Sequence, residues 1–191
     1  METINLGLIY GSTRAGRLCD RVGAWVAAQV ARNESFAVDL IDPAALGLPA
    51  RIEREDPPAV TALERRIADA DAFVVVTPEY NHGYPAPLKQ LIDLVSVPWQ
   101  AKPVAFVSYG GASGGIRAVE QLRLVFAELH AVTLRDTVSF AGAHARFAGD
   151  GGLAQPERAE RAMATMLARL RWWALALGEA RRARPYTLAA L

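Results

Sequence analysis

Five apolar runs rich in β-branched residues alternate with segments of helical period, and that alternation restricts the fold more than any other feature of the chain. The runs are INLGLIY (Ile4 to Tyr10), FAVDLID (Phe36 to Asp42), AFVVVT (Ala72 to Thr77), PVAFVSY (Pro103 to Tyr109) and VTLRDTVSF (Val132 to Phe140). Three of them are nearly continuous in hydrophobicity, as expected of strands covered on both faces of a parallel sheet. Between them apolar residues recur at spacings of three and four. Val22, Trp25, Val26 and Val30 form the first such face; Val60, Leu63 and Ile67 the second; Leu88, Leu91, Ile92 and Val95 the third; Val119, Leu122, Phe126 and Leu129 the fourth. A last helix is expected to bury Met163, Met166, Leu167, Leu170, Trp173 and Leu177. Strand and helix alternating in this way predict a doubly wound α/β fold with right-handed crossovers.

At 191 residues, with no linker, repeat or low-complexity tract, the chain reads as one domain over residues 1–191. Hydrophobic residues make up 52% and charged residues 21%, ordinary for a globular protein, and the net charge of +1 supplies no electrostatic case for nucleic acid or an anionic membrane. The segment METINLGLIYGS, with Glu2 and a short apolar run, suits a first strand rather than a secretory signal. One cysteine, Cys19, fits a reducing compartment, so a cytoplasmic protein is expected. Two long loops stand out, Asp42 to Pro58, rich in Pro and charge, and Ala141 to Gln155, rich in Gly and Ala.

Ligands of an open parallel sheet bind beyond the carboxyl ends of its strands, near the point where strand order reverses. The loops that leave the first, third and fourth runs are therefore the informative ones. In YGSTRAGRL (Tyr10 to Leu18), Gly11, Ser12, Thr13, Arg14, Gly16 and Arg17 lead into a helix. Free N–H groups, a helix dipole, hydroxyls and arginines would cradle a phosphate; equally, Gly-Ser-Thr makes a tight turn with a helix cap. Arg17 and Leu18 stand where a Walker A loop needs Lys and Ser or Thr, and the dinucleotide pattern Gly-x-Gly-x-x-Gly is missing. In PEYNHGYP (Pro78 to Pro85), two prolines stiffen a loop in which Asn81 and Gly83 tolerate positive φ. Such a loop suits a flat heterocycle with donors and acceptors on its edge, or a proline-capped helix start with Tyr80 packed for shape. In SYGGASGG (Ser108 to Gly115), four glycines within six residues permit close backbone approach, or simply a flexible turn. Taken together the three loops describe a mononucleotide site: phosphate on the first, planar ring between the other two.

GSTRAGR, PEYNHGYPAPLKQLID and SYGGASGG together resemble the NADPH-dependent FMN reductase family, over roughly residues 4 to 135. Arg17-Leu18 follows a branch different from those with Ser and a short polar residue at these places. The resemblance implies a flavodoxin-like three-layer sandwich, with a five-stranded parallel sheet in the order 2-1-3-4-5 and helices on both faces. It implies FMN as cofactor and NADPH as co-substrate, with hydride passing to a quinone, azo compound, free flavin or similar acceptor. Ser12, Thr13, Arg14 and Arg17 would hold the FMN phosphate. Pro78, Glu79, Tyr80 and Asn81 would line the ring, and Ser108, Tyr109, Gly110 and Gly111 would bind its polar end. A homodimer or homotetramer is implied, with the Pro85 to Val97 helix and the tryptophans as candidates for burial between subunits.

No protein general acid is required when a flavin supplies the chemistry, so no catalytic residue is named. Cys19 reads as a small packed hydrophobe or a reactive thiol near a helix start. His82 reads as a substrate contact or an exposed turn residue; His130 and His144 are isolated, and no metal site is read. RRAR (Arg181 to Arg184) reads as a solvated tail. Two rivals stand beside the reductase: a flavodoxin-type electron carrier, against which the +1 charge argues because such carriers are strongly acidic, and a flavin-free regulatory domain on the same fold.

Overall fold

The computed structural model describes residues 2–51, 57–147 and 153–186, so the inner parts of both long loops, at 52–56 and 148–152, lie outside the described residues. The strands are β1 (Ile4–Tyr10), β2 (Phe36–Ile41), β3 (Ala72–Pro78), β4 (Pro103–Tyr109) and β5 (Val132–Phe140). They form one parallel sheet in the order β2-β1-β3-β4-β5, the order that the resemblance implies. Every residue of β3 and β4 is buried, which is why these runs show no apolar–polar alternation. β2 lies at an edge and exposes Val38 and Leu40.

Alternating strand residues feed two cores. On one face Leu6, Leu8, Val74, Val76, Ala105 and Val107 pack against α1 (Cys19–Ala31) and α6 (Glu157–Ala183). On the other, Ile9, Phe73, Val75, Val104 and Phe106 meet α2 (Pro58–Asp69), α3 (Ala86–Asp93) and α4 (Ile116–Glu128). α3 stops at Asp93, and a 3₁₀ turn at Val97–Trp99 carries Trp99 into this second core between Phe73 and Phe126. Trp99 is thus fully buried within the chain and is no interface candidate. A short helix the sequence reading did not place, α5 (Ala143–Arg146), follows β5.

Two expectations for α6 need correction. Its buried face runs Met163, Met166, Leu167, Leu170, Ala174 and Gly178, while Trp173 is 36% exposed and Trp172 62% exposed. The 3.6-residue period drifts onto small residues there, and reading for large apolar side chains followed the wrong ones. Arg181 is not in a solvated tail: it lies in α6 and donates to the Ala101 carbonyl just before β4.

Candidate functional site at three adjoining loops

β1, β3 and β4 are neighbours in the sheet, so the loops at their carboxyl ends lie side by side. The first loop enters α1 without a side-chain cap: the residue before the helix is Leu18, so Ser12 and Thr13 do not cap it. Ser12, fully buried, instead places its hydroxyl 2.8 Å from the Tyr80 hydroxyl and accepts the Arg14 N–H at 3.4 Å. The Arg17 N–H closes a turn onto the Arg14 carbonyl at 3.2 Å. Thr13, Ala15 and Gly16 donate their backbone N–H to no acceptor among the described residues. Thr13 and Arg14 are exposed, and the Arg14 guanidinium lies over the Tyr80 ring at 4.5 Å.

Arg17 is placed differently from its expected role. Its Nε donates to Asp20 Oδ1 and its Nη1 to Asp42 Oδ1, each at 2.8 Å, while Nη1 also donates to the Ser12 carbonyl and Nη2 to Asp42 Oδ2. Its side chain is 10% exposed and lies over the Tyr10 ring. The Arg17 hydrogen bonds hold the Asp42 carboxyl below its ordinary range, against the upward push of burial. Asp42 was missed as a site residue. Its signal is its place at the carboxyl end of the second run, at the same edge of the sheet as the three loops.

The second loop is a tight two-residue turn. Tyr80 N–H donates to the Gly83 carbonyl at 2.9 Å and Gly83 N–H to the Tyr80 carbonyl at 3.1 Å, with φ of 48° at Asn81 and 74° at His82. Positive φ at both central residues marks a type I′ geometry. Of the two residues expected to tolerate positive φ, Asn81 adopts it and Gly83 does not; the second positive φ falls on His82, one of the few side chains besides Asn and Asp that enter this region with any frequency. Gly83 serves another purpose, because a Cβ there would come within 3.0 Å of Gln121 Oε1. Gln121 donates from Nε2 to the His82 carbonyl at 2.9 Å and so fixes the turn to α4.

Glu79 joins the second loop to the third. Its carboxylate is nearly buried, accepts the Arg117 Nε at 2.6 Å and takes the Arg117 backbone N–H at 3.2 Å, in the first turn of α4. It therefore caps α4 from outside the helix. Burial pushes the Glu79 carboxyl up, but Arg117 and a hydrogen bond from Ser113 outweigh it and hold it below the usual range. Arg117 and Gln121 carry no motif, and only the folded chain brings them to the loop.

In the third loop the framework and the free donors separate. Ser108, buried, gives its hydroxyl to the Gly114 carbonyl at 2.8 Å, and the Tyr109 carbonyl accepts the Glu79 N–H. Gly110 N–H donates to the Phe140 carbonyl at 3.1 Å, so it is engaged within the chain. Gly111, Ala112 and Ser113 keep backbone N–H groups without an acceptor among the described residues. Gly115 has φ of 86°, and a Cβ there would lie 2.8 Å from Ser108 Cβ, so both conformation and space demand glycine. Beneath the loops Cys19 is fully buried, and burial raises its thiol pKa, which makes it a packed hydrophobe. The Tyr109 phenol, raised likewise by burial, lies in the same core.

The sequence matches the description NADPH-dependent FMN reductase over residues 4–145. It is 32% identical over 190 residues to the Oryza sativa protein named "Probable NADPH:quinone oxidoreductase 2", covering 92% of this chain and 91% of that protein. It is 42% identical over 117 residues to an NAD(P)H-dependent FMN reductase of Schizosaccharomyces pombe, covering 56% of this chain and 58% of that protein. In structure it resembles the flavoenzyme NAD(P)H:(acceptor) oxidoreductase FerB of Paracoccus denitrificans, with a TM-score of 0.73, 22% identity, and coverage of 90% and 97% of the two chains. It also resembles a flavodoxin of Pseudomonas aeruginosa, with a TM-score of 0.56, 19% identity, and coverage of 88% and 99%. Sheet order, loop placement and sequence agree: the chain belongs to the NADPH-dependent FMN reductase family.

Proposed function

We propose that this chain binds FMN across the three loops and reduces a small acceptor, a quinone or similar compound, at the expense of NADPH. The observation that carries the reading is the set of backbone donors without acceptors among the described residues at Thr13, Ala15, Gly16, Gly111, Ala112 and Ser113, on loops cross-linked by Ser12–Tyr80 and Glu79–Arg117. Unpaired N–H groups in a rigid array suit an anion at one end and an electron-rich ring edge at the other. A phosphate monoester fits the first loop, where Thr13, Arg14 and the free N–H groups supply donors and charge. Asp42, standing near the place of the ribose-binding acid of a dinucleotide fold, is already held by Arg17, which favours a mononucleotide.

FMN held across these loops would supply two-electron chemistry between a reduced nicotinamide and the acceptor. The protein supplies position and electrostatics. Arg14 and Thr13 hold the charged tail; Pro78, Tyr80 and Asn81 form one wall; the N–H groups of Gly111 and Ala112 favour negative charge at the ring edge. Holding reacting planes together removes orientational entropy from the step. Exposed Val97, Ile116, Leu124 and Trp172 are the surfaces we assign to a homodimer or homotetramer, and the single buried thiol suits a cytoplasmic setting.

The test is a visible spectrum of the purified protein with added FMN, followed by NADPH under anaerobic conditions. Binding with bleaching, then recovery of colour on adding a quinone, is expected. Binding without direct bleaching points to an electron carrier, and calorimetric silence towards FMN removes the reading.

A further inference from the structure

We infer that Arg17 and Asp42 form a clamp that holds the first loop in its anion-binding shape, so that Arg17 acts on the FMN phosphate through the loop and does not touch it. The inference rests on the FMN reading above. A guanidinium carries five N–H groups in a fixed fork. In Arg17 the Nε donates to Asp20 Oδ1, Nη1 to the Ser12 carbonyl and to Asp42 Oδ1, and Nη2 to Asp42 Oδ2, while Nη2 also lies 2.8 Å from Asp20 Oδ1 in an ion pair. To reach a phosphate, Arg17 would have to leave Asp42, only 17% exposed, as an unpaired carboxylate, which partial burial disfavours.

The contact with Ser12 gives the clamp its effect. In a trans peptide the C=O and the following N–H point in opposite directions. By drawing the Ser12 carbonyl inward, Arg17 turns the Thr13 N–H outward, where it has no acceptor among the described residues. Asp42 is itself fixed, since its Oδ1 accepts the Ala44 N–H at 3.0 Å and its carbonyl accepts the Ala45 N–H at 2.9 Å. The chain after β2 therefore sets the aim of the loop after β1. Because Asp42 offsets the charge of Arg17, Arg14 remains the cation that meets the phosphate.

Equilibrium binding of FMN and of riboflavin, which lacks the phosphate, separates clamp from ligand in wild type, Arg17→Met, Asp42→Asn, Arg17→Lys and the double variant Arg17→Met/Asp42→Asn. The clamp predicts that Arg17→Met and Asp42→Asn each weaken FMN by about tenfold, with riboflavin unchanged within about twofold. The double variant is then no weaker than either single one, because both remove the same unit. Arg17→Lys fails to rescue, since an ammonium lacks the fork. Retained or tightened FMN binding in Asp42→Asn, or retention in Arg17→Lys, overturns the clamp in favour of direct contact. A general loss of structure would lower both flavins alike and would equally overturn the specific claim. Amide spectra of the free protein give a readout independent of flavin: Asp42→Asn must move the Ser12 to Gly16 resonances and leave Gly110 to Ser113 in place. If it does not, the clamp is wrong; if wild type binds neither flavin, it is the FMN reading that falls, and the spectra still judge the clamp.

Discussion

The two ends of the sheet treat charge and donors in opposite ways. At the amino end, a buried lysine and a half-buried arginine close the chain on itself. Lys102 donates to the Ile67 and Ala68 carbonyls at the end of α2, at 2.7 and 2.6 Å, and Arg181 reaches the Ala101 carbonyl. Asn5 and Asp71 exchange bonds, the Asn5 N–H to Asp71 Oδ2 and the Asp71 N–H to the Asn5 carbonyl. At the carboxyl end, Arg17, Glu79 and Arg117 are used to brace loops whose own N–H groups stay unpaired. An unpaired backbone donor is unfavourable unless water or a ligand meets it. Its concentration on the first and third of the adjoining loops, beside side chains that hold them open, separates a site from a mere sheet end.

The largest expected effect breaks the amino end alone. Lys102→Ala leaves the α2 carbonyls without their donor and removes a long buried side chain, and it should lower the unfolding free energy by about 2–3 kcal/mol. Urea titration measures this. FMN affinity should stay within about twofold; a large loss of FMN binding would show that the two ends are not independent. A smaller effect is expected at the carboxyl end. Arg14→Ala should weaken FMN by roughly tenfold, as for a lost charge-assisted hydrogen bond, and leave the melting temperature of the free protein unchanged. Riboflavin should not feel the change. Equal losses for both flavins would place Arg14 against the ring, where it now stacks on Tyr80, and not at the phosphate.

The same contrast explains what the sequence made legible. Strands β3 and β4 announced themselves because burial on both faces needs unbroken apolar runs, and the three loops because glycine, proline and hydroxyl residues cluster only where backbone must do unusual things. Which donors stay free was not legible. Gly110 and Gly111 look alike in sequence, yet the Gly110 N–H bonds to the Phe140 carbonyl while the Gly111 N–H has no acceptor among the described residues and only its carbonyl is engaged, by the Gly114 and Gly142 N–H groups. Arg17 reads the same whether its fork is free or taken, and the answer lies with Asp42, supplied by a different strand. Pairings between Glu79 and Arg117 or His82 and Gln121 span dozens of residues, and no local pattern encodes them.

The smallest effect, about 1 kcal/mol, sharpens the comparison through pH. At the carboxyl end the Asp42 and Glu79 carboxyls sit below their ordinary values. Their contribution is full above the unfolded values of about 4 and is lost as pH falls through the lower folded ones. Stability should be flat in this respect from neutral pH to about 5 and fall only in stronger acid, with Glu79→Gln flattening that limb. At the amino end burial pushes the Lys102 amine down to about 8, below the unfolded value of about 10.4. Between those values the unfolded chain holds more protons, so Lys102 makes stability rise with pH. Buried Cys19, raised by burial, acts with the opposite sign in the same range. The difference between wild type and Lys102→Met isolates the lysine where the raw curve does not. Urea unfolding at intervals from pH 3 to pH 10 should give a difference that grows in favour of wild type above about pH 8 and is unaltered by FMN-site variants. A difference that stays constant with pH would mean that the two helix-end carbonyls hold Lys102 charged throughout, and that the amino end, like the carboxyl end, keeps its ions fully ionised.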